Sequence, residues 1–216
     1  TLLEFIKNQK IDIKKNYYNK KIKEFRDIID NYFKLILKFQ KISNLSKNQS
    51  GAGNIILIDI LTKSPQIKNV LETGVGLGFS SSKILSNLKK RRGLLTSIDI
   101  PYLNSINLKY IGFKVSDYQK KNWNLILGID YFVLKKLMKK KKKYDLVIYD
   151  SDKSYHGRLN CYSLMWEMLK TKGYFVSDDI YDNDAFIDFA KKKKAKYFII
   201  KKFKTADSYS GVILKE

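Results

Sequence analysis

The sequence predicts an α/β fold: a doubly wound, mostly parallel seven-stranded sheet with an antiparallel closing strand, preceded by N-terminal helices. From residue 66 onward, short apolar runs alternate with helix-like segments, which is typical of a parallel sheet covered by helices on both faces. The first apolar run leads through a glycine-rich turn, residues 74–78, into a helix-like segment. Two runs near the C-terminus, 197–201 and 210–214, lie close enough in sequence to favour an antiparallel pair.

The predicted strands are short runs rich in β-branched and aromatic residues. They lie, in chain order, at 68–73, 94–98, 123–127, 144–149, 174–177, 197–201 and 210–214. The predicted helices carry apolar residues three or four positions apart, and they lie at about 80–89, 130–137, 158–170 and 184–192. Residues 101–121 show neither period, so we expect an irregular connection there.

The first 64 residues are expected to form a helical extension or lid packed on the core domain, which covers 65–216. Within Tyr18–Gln40, apolar residues recur every three or four positions and indicate an amphipathic helix. The apolar face of such a helix usually packs on its own core. A substrate lid and a contact between two copies of the chain are the alternatives. A second helix is expected before the first strand, capped at its start by Ser50 or Asn54.

The charge of the chain limits its partners only loosely. Lysine and arginine number 43 against 21 acidic residues, a formal net charge of +22, which could attract nucleic acid or anionic lipid. We favour a solvated lysine-rich surface produced by compositional bias. A single cysteine, Cys161, excludes an internal disulfide and is typical of a reducing compartment, so we expect a cytoplasmic protein. No run approaches the ~18 apolar residues of a membrane-spanning helix.

The glycine turn follows a strand that ends near Glu72 and alternates Gly74, Gly76 and Gly78 with apolar residues. It lacks the Gly-Lys-Ser/Thr of a phosphate loop, and Phe79 stands at the third glycine position of a nicotinamide fingerprint. An ordinary strand-to-helix turn is the alternative reading. The pattern Glu-x-Gly-x-Gly-x-Gly resembles the nucleotide loop of class I S-adenosylmethionine-dependent methyltransferases, which have a Rossmann-like fold.

Acidic residues end four of the predicted strands. Ligands of open parallel sheets bind beyond the carboxyl ends of the strands, so these side chains are expected to share one crevice. Each of them alone could instead cap a helix, but five in equivalent positions favour a binding site. They are Glu72, Asp99, Asp150, Asp178 and Asp179.

Two segments extend the resemblance. YDLVIYDSDKSYHGR, from Tyr144, and GYFVSDDIYDN, from Gly173, are similar to the metal-dependent small-molecule O-methyltransferases. These include the catechol and caffeoyl-coenzyme A type and the macrolide- and cephalosporin-tailoring type. In that family an acidic element followed by Lys or His ends the fourth strand, and an Asp-Asn or acid-Asp pair ends the fifth. The resemblance covers about residues 68–214.

The resemblance implies a role for each matching position. It assigns Lys153 as the general base. The adenine-side acid of the family is either shifted by one residue to Asp130 or absent, because Ile129 separates Asp130 from Gly128. Asp99 would bind the ribose hydroxyls. The methionine part of S-adenosylmethionine would be held by Glu72, Gly74, Gly76, Gly78 and Ser80, with Asp150 beside the cofactor. Mg²⁺ or a similar divalent cation would be bound by Asp150, Asp178 and Asp179.

The sequence therefore predicts a methyltransferase that acts on a hydroxyl of a small molecule or sugar, assisted by a divalent cation. Without a cation, three adjacent carboxylates repel one another, so a neighbouring lysine, water or disorder is expected there. One alternative is a metal-independent methyltransferase of the same fold on another acceptor. The other is a non-catalytic, basic nucleic-acid-binding module, in which the strand-end acids would repel phosphate. In each of these three cases, the protein could form a homo-oligomer in which the N-terminal helices make the contact.

Overall fold

The structure, a computed structural model, describes residues 53–100, 110–202 and 208–216. The chain divides into two units, residues 1–51 and 52–216, and all described residues belong to the second. The predicted helix Tyr18–Gln40 lies outside the described residues, as does Ser50. Within the described ranges, every helix is too short or too polar to cross a membrane.

The described residues form one seven-stranded sheet. Its strands are β1 (Asn69–Thr73), β2 (Leu94–Asp99), β3 (Trp123–Leu127), β4 (Tyr144–Tyr149), β5 (Leu169–Ser177), β6 (Tyr197–Lys201) and β7 (Tyr209–Leu214). Their order across the sheet is β3-β2-β1-β4-β5-β7-β6. β7 runs antiparallel to both of its neighbours, and the strands from β3 to β5 pair in parallel. The predicted mostly parallel sheet with an antiparallel closing strand is confirmed.

Helices connect most of the strands. They are α1 (Ile55–Lys63), α2 (Phe79–Leu88), α3 (Asp117–Lys120), α4 (Asp130–Lys139), α5 (Tyr155–Met168) and α6 (Ala185–Lys192). Asn54 caps α1 by accepting a hydrogen bond from the backbone N–H of Leu57, at 3.2 Å. The helix α3 lies in a stretch predicted to be irregular. Its single turn is closed by a capping box between Ser116 and Gln119, and one turn is too short to show a periodicity.

The two faces of the sheet carry separate parts of the core. On β4, Val147 and Tyr149 pack with residues of α4, α5 and α6 on one face. Leu146 and Ile148 pack on the opposite face with residues of α1 and α2. This alternation follows from the two-residue period of a strand. Within the described part of the chain, helices therefore cover both faces of the sheet, and ligands are expected at the carboxyl ends of the strands.

The boundary between α5 and β5 differs from the prediction. The helix ends at Met168, and Leu169 is already extended and pairs with Tyr144. The register then shifts, so that Tyr174 pairs with the residue two positions further along β4, and Lys172 within the shift has a positive φ of 64°. Leu169 was predicted to be helical because it stands three residues after Trp166. In the structure it is the first residue of β5.

Candidate functional site

Parallel pairing brings the acidic strand ends to the same edge of the sheet. Glu72 on β1 is in register with Ser97 on β2 and with Ile148 on β4. The carboxyl-terminal residues of these strands therefore lie side by side, and β5 adds its own end next to β4. The predicted crevice at this edge consequently collects side chains from four separate segments of the chain.

The glycine loop is closed by Asp99 at the end of β2. Gly74, Gly76 and Gly78 have φ values of 78°, 51° and 82°, a region in which other residues are strained. The backbone N–H groups of Val75 and Gly76 donate to Asp99 Oδ2 at 3.0 Å and 2.8 Å. Burial raises the pKa of Asp99, while these backbone hydrogen bonds lower it in part. Asp99 thus fixes the conformation of the loop.

Glu72 lies fully buried beneath the loop. Its carboxylate accepts hydrogen bonds from Ser80 Oγ and Ser81 Oγ, both at 2.5 Å, and from Ser97 Oγ at 2.7 Å. Burial raises the pKa of Glu72, and the three hydroxyls partly offset that effect. Ser81 and Ser97 were not predicted, because a serine shows no sequence signal for a contact with a residue 9 or 25 positions away. The hydrogen bonds leave about one of the carboxylate's four acceptor positions unused.

A small cavity lies between the loop, the start of α1 and the ends of β4 and β5. Its walls include Asn54, Glu72, Gly74, Asp150 and Asp178. Asn54 is 7% exposed, and its Nδ2 has no hydrogen-bond partner among the described residues. A buried amide donor without a partner is costly and is usually satisfied by a ligand or water. Asn54, predicted only as a possible cap, therefore also belongs to the site.

Asp130 points into the protein between α4 and α5. Its Oδ2 accepts a hydrogen bond from Ser151 Oγ at 2.6 Å, and its Oδ1 accepts from the backbone N–H of Tyr131 at 2.7 Å. The buried Cys161 thiol has a raised pKa, first because of burial and then because of Asp130. Such a thiol is a poor nucleophile, and Cys161 packs within the hydrophobic core.

Asp150, Asp178 and Asp179 converge at the end of β4 and β5. Each offers a carboxylate oxygen, and these atoms all lie within 4.8 Å of one another. The pKa of Asp150 is raised to about 7, first by burial and then by the other two carboxylates, while Lys153 and Lys202 lower it in part. Three oxygen donors at this separation suit a hard divalent cation such as Mg²⁺. The predicted grouping of these three residues is therefore present in the structure.

Two lysines bridge the three carboxylates. Lys153 Nζ lies 2.5 Å from Asp150 Oδ1 and 3.3 Å from Asp179 Oδ2. Lys202 Nζ contacts Asp178 Oδ2 and lies 2.6 Å from Asp179 Oδ1. Although burial raises the pKa of Asp179, Lys153 and Lys202 together lower it to about 2. A neighbouring lysine was among the partners expected for these acids, and the structure places two there.

The protonation of Lys153 depends on its acidic neighbours. Burial lowers the pKa of Lys153, but Asp150, Asp179 and Asp178 raise it more, so the net pKa lies above the ordinary value. Beside these three carboxylates, Lys153 holds its proton. Its position beside the acids suits a general base if other positive charges balance these carboxylates during the reaction, because the carboxylates then no longer raise the pKa of Lys153.

Three residues of the closing hairpin complete the acid cluster and were not predicted. They are Lys202, Ser208 and Ser210. Ser208 Oγ donates to Asp179 Oδ1 at 2.9 Å, and Ser210 Oγ donates to Asp178 Oδ1 at 2.7 Å. No spacing rule links these residues to the acids, because β7 reaches β5 only through the tertiary fold. Their one sequence signal is their position directly after β6 and at the start of β7.

Arg158 stabilises the backbone of Asp179, one of the three acids of the cluster. Its side chain is fully buried, and Nη2 donates to the backbone carbonyl of Asp179 at 2.6 Å. Nη1 lies 2.9 Å from Asp182 Oδ1. Asp179 has a φ of 50°, a left-handed conformation that costs energy for a residue with a side chain. The guanidinium therefore holds Asp179 in the conformation that directs its carboxylate toward the cluster.

For the cofactor that the sequence resemblance implies, Asp99→Ala is expected to weaken the binding of its product S-adenosylhomocysteine by a free energy of about 1–3 kcal/mol, because it leaves the loop N–H groups without an acceptor. Isothermal titration calorimetry would measure this loss. Asp99→Asn keeps one acceptor oxygen for the loop, and we expect it to recover part of the affinity. Equal affinity in wild type and Asp99→Ala would contradict this role of Asp99.

One family of known proteins matches the chain by its sequence. A family model described as a methyltransferase domain matches residues 71–180, just over half of the 216 residues. No curated protein sequence matches the chain.

Many solved structures resemble the chain despite low identity. One is an O-methyltransferase from Bacillus cereus in complex with SAH, at 12% identity and a TM-score of 0.68, covering 89% of this chain and 96% of that one. Another is the O-methyltransferase TomG from Streptomyces achromogenes, involved in tomaymycin synthesis and in complex with SAM. It shows 14% identity and a TM-score of 0.59, with 85% of this chain and 96% of that chain covered. At these identities the likeness establishes the fold.

Proposed function

This chain belongs to the methyltransferase domain family, and from that premise we propose that it transfers the methyl group of S-adenosylmethionine to a hydroxyl of a small molecule or sugar, assisted by a divalent cation. The observation that carries the proposal is the convergence of Asp150, Asp178 and Asp179 with Lys153 beside the cavity under the glycine loop. The two solved structures named above, described as O-methyltransferases holding SAH or SAM, support the choice of reaction.

The residues at the loop fit the cofactor. Asn54 Nδ2 is a buried donor without a partner among the described residues, and it suits the carboxylate of a methionine moiety. Glu72 retains about one acceptor position, which suits the ammonium group of the same moiety. Asp99 uses three of its four acceptor positions on backbone N–H groups, so it can accept about one hydrogen bond from a ribose. When bound, the cofactor supplies an electrophilic methyl group.

The donor set at the acid cluster fits a divalent cation. Asp150, Asp178 and Asp179 would hold it, and it would lower the pKa of the acceptor hydroxyl and orient that group. Lys153 would accept the hydroxyl proton at Nζ once its acidic neighbours are balanced. Asp130 is proposed for the adenine side because of its place after β3, although its carboxylate is bound by Ser151. Gly74, Gly76 and Gly78 let the backbone approach the cofactor closely.

Removal of divalent cations is expected to reduce methyl transfer by at least about 100-fold, because a cation that polarises the acceptor contributes several kcal/mol. The assay would follow formation of S-adenosylhomocysteine with a panel of catechols, phenols and sugars, first in EDTA and then after addition of Mg²⁺. Activity should return with Mg²⁺ and should not return with Na⁺ at equal ionic strength. An undiminished rate in EDTA would contradict the metal-assisted mechanism.

A methyltransferase without a metal is the second candidate function. It is favoured by Lys153 and Lys202, which already set two positive charges against three carboxylates. In that case Lys153 would remain protonated and could only orient an acceptor through hydrogen bonds. Full activity in EDTA, together with saturable binding of S-adenosylmethionine, would select this candidate.

A further inference from the structure

Lys202 is held within the acid cluster by the closing hairpin. It directly follows β6, and its backbone N–H donates to the carbonyl of Ser208 at 2.8 Å. Its side chain is 12% exposed and its ammonium contacts carboxylates of both Asp178 and Asp179. The side chain therefore sits inside the site, whereas a typical surface lysine extends into solvent.

The lysines and serines occupy most of the oxygen atoms that a cation would need. Asp178 uses Oδ1 for Ser210 and Oδ2 for Lys202. Asp179 uses Oδ1 for Lys202 and Ser208, and Oδ2 for Lys153. Among the six carboxylate oxygens, only Asp150 Oδ2 has no hydrogen bond or ion pair within the part of the chain that the structure describes. A cation bound by all three residues would therefore meet a lysine ammonium on Asp178 and on Asp179.

The charges of the acid cluster also favour replacement of the Lys202 ammonium by the cation. When all three carboxylates are ionised they carry three negative charges, which a divalent cation together with the ammonium of Lys153 would balance. A second ammonium from Lys202 would then leave an excess positive charge only a few ångströms from the cation, which is repulsive. Without the cation, the ammonium of Lys202 bridges Asp178 and Asp179, while that of Lys153 bridges Asp150 and Asp179. Lys202 and the cation thus compensate the same carboxylates.

We propose that Lys202 is an internal competitor of the divalent cation: its ammonium group occupies Asp178 and Asp179 in the metal-free protein and leaves them when the cation binds. The proposal rests on the proposed function, because it takes the acid cluster as the cation site. It makes Lys202 a residue that determines metal affinity. The side chain is long enough to swing away from the carboxylates while β6 stays paired with β7.

The test compares Mn²⁺ binding to the wild type, Lys202→Met and Lys201→Met, without S-adenosylmethionine or acceptor. Free Mn²⁺ is measured by electron paramagnetic resonance during a titration. Lys202→Met is expected to bind Mn²⁺ at least about tenfold more tightly than the wild type, since it removes a competing charge. Lys201→Met makes the same change at an exposed neighbouring lysine, and its affinity should stay within about twofold of wild type. Equal or weaker binding by Lys202→Met overturns the proposal.

Thermal unfolding provides an independent readout. In EDTA, Lys202→Met should unfold at a lower temperature than the wild type, because its three carboxylates retain only Lys153 as a counterion. Mn²⁺ should raise its unfolding temperature by more than it raises that of the wild type. Lys202→Gln is the second variant if the methionine variant does not fold. A loss of stability that Mn²⁺ does not restore would mean that Lys202 is purely structural and would overturn the proposal.

The outcome is separable from that of the proposed function. If Mn²⁺ binds the wild type and Lys202→Met equally, the competition fails while metal-assisted methyl transfer stands. If none of the three proteins binds Mn²⁺, the competition fails, and the rate of methyl transfer in EDTA decides whether the protein is a metal-independent methyltransferase.

Discussion

Lys153→Met is expected to slow methyl transfer by about 10²- to 10⁴-fold, the usual effect of losing a general acid–base group. The ammonium of Lys153 lies between Asp150 and Asp179, and a methionine there cannot accept a proton from the acceptor hydroxyl. The effect should fall on kcat, because the loop and cavity that bind the cofactor are unchanged. Steady-state kinetics at saturating S-adenosylmethionine and Mg²⁺ would measure it, and calorimetry should find the affinity for S-adenosylhomocysteine within about threefold of wild type.

Lys153→Arg distinguishes a proton acceptor from an ion-pair partner. A guanidinium can keep both ion pairs, but it does not lose its proton in proteins. If Lys153 is the base, the arginine variant should be nearly as slow as the methionine variant. If Lys153 only holds the acids together, arginine should restore much of the rate and the base assignment is wrong. Lys170→Met is the matched control, since Lys170 pairs with Asp145 at the start of β4, at the other end of that strand.

Gly74→Ala is expected to lower the free energy of unfolding by about 2–5 kcal/mol. This is the sum of the cost of a left-handed backbone for alanine and the cost of overpacking. Gly74 has a φ of 78°, and a Cβ added there would lie 2.0 Å from the carbonyl oxygen of Asp150. The new methyl group can fit only if the ends of β1 and β4 move apart. This movement would also displace Asp150, so we expect weaker binding of Mn²⁺ and of S-adenosylhomocysteine.

Gly53→Ala is the matched control for the backbone strain. Gly53 also has a positive φ, 57°, but a Cβ there would lie 3.4 Å from its nearest neighbour, an ordinary contact. Its cost in unfolding free energy should therefore be only about 1–2 kcal/mol. Urea denaturation of the two variants would compare their stabilities. Equal losses would show that the approach of β1 to β4 does not determine the requirement for glycine at position 74.

The acidic strand ends could be predicted because they follow from local patterns. Apolar runs identified β1, β2, β4 and β5, and one general rule places the carboxyl ends of parallel strands at a single edge. The runs and the rule together are sufficient to predict that Asp150, Asp178 and Asp179 lie close to one another, as they do. The same patterns predicted the bounds of β3, β4 and β6 as the structure has them.

The hydrogen bonds around those acids could not be predicted in the same way. Ser81 and Ser97 bind Glu72, and Ser151 binds Asp130, across separations at which a serine has no sequence signature. Arg158 was predicted only as a helix residue, although its buried guanidinium holds the backbone of Asp179. Such contacts depend on side-chain directions, and these are determined by the packing of helices on the sheet.

The class of fold, the glycine loop and the acids at the strand ends follow from the sequence alone, since each depends on residues that are near one another in the chain. The position of β7 between β5 and β6 is known only from the folded chain. The order of strands in a sheet depends on which edges pair, and this pairing involves residues far apart in the chain. It is this insertion that brings Lys202, Ser208 and Ser210 to the acid cluster and sets the charge a cation meets there.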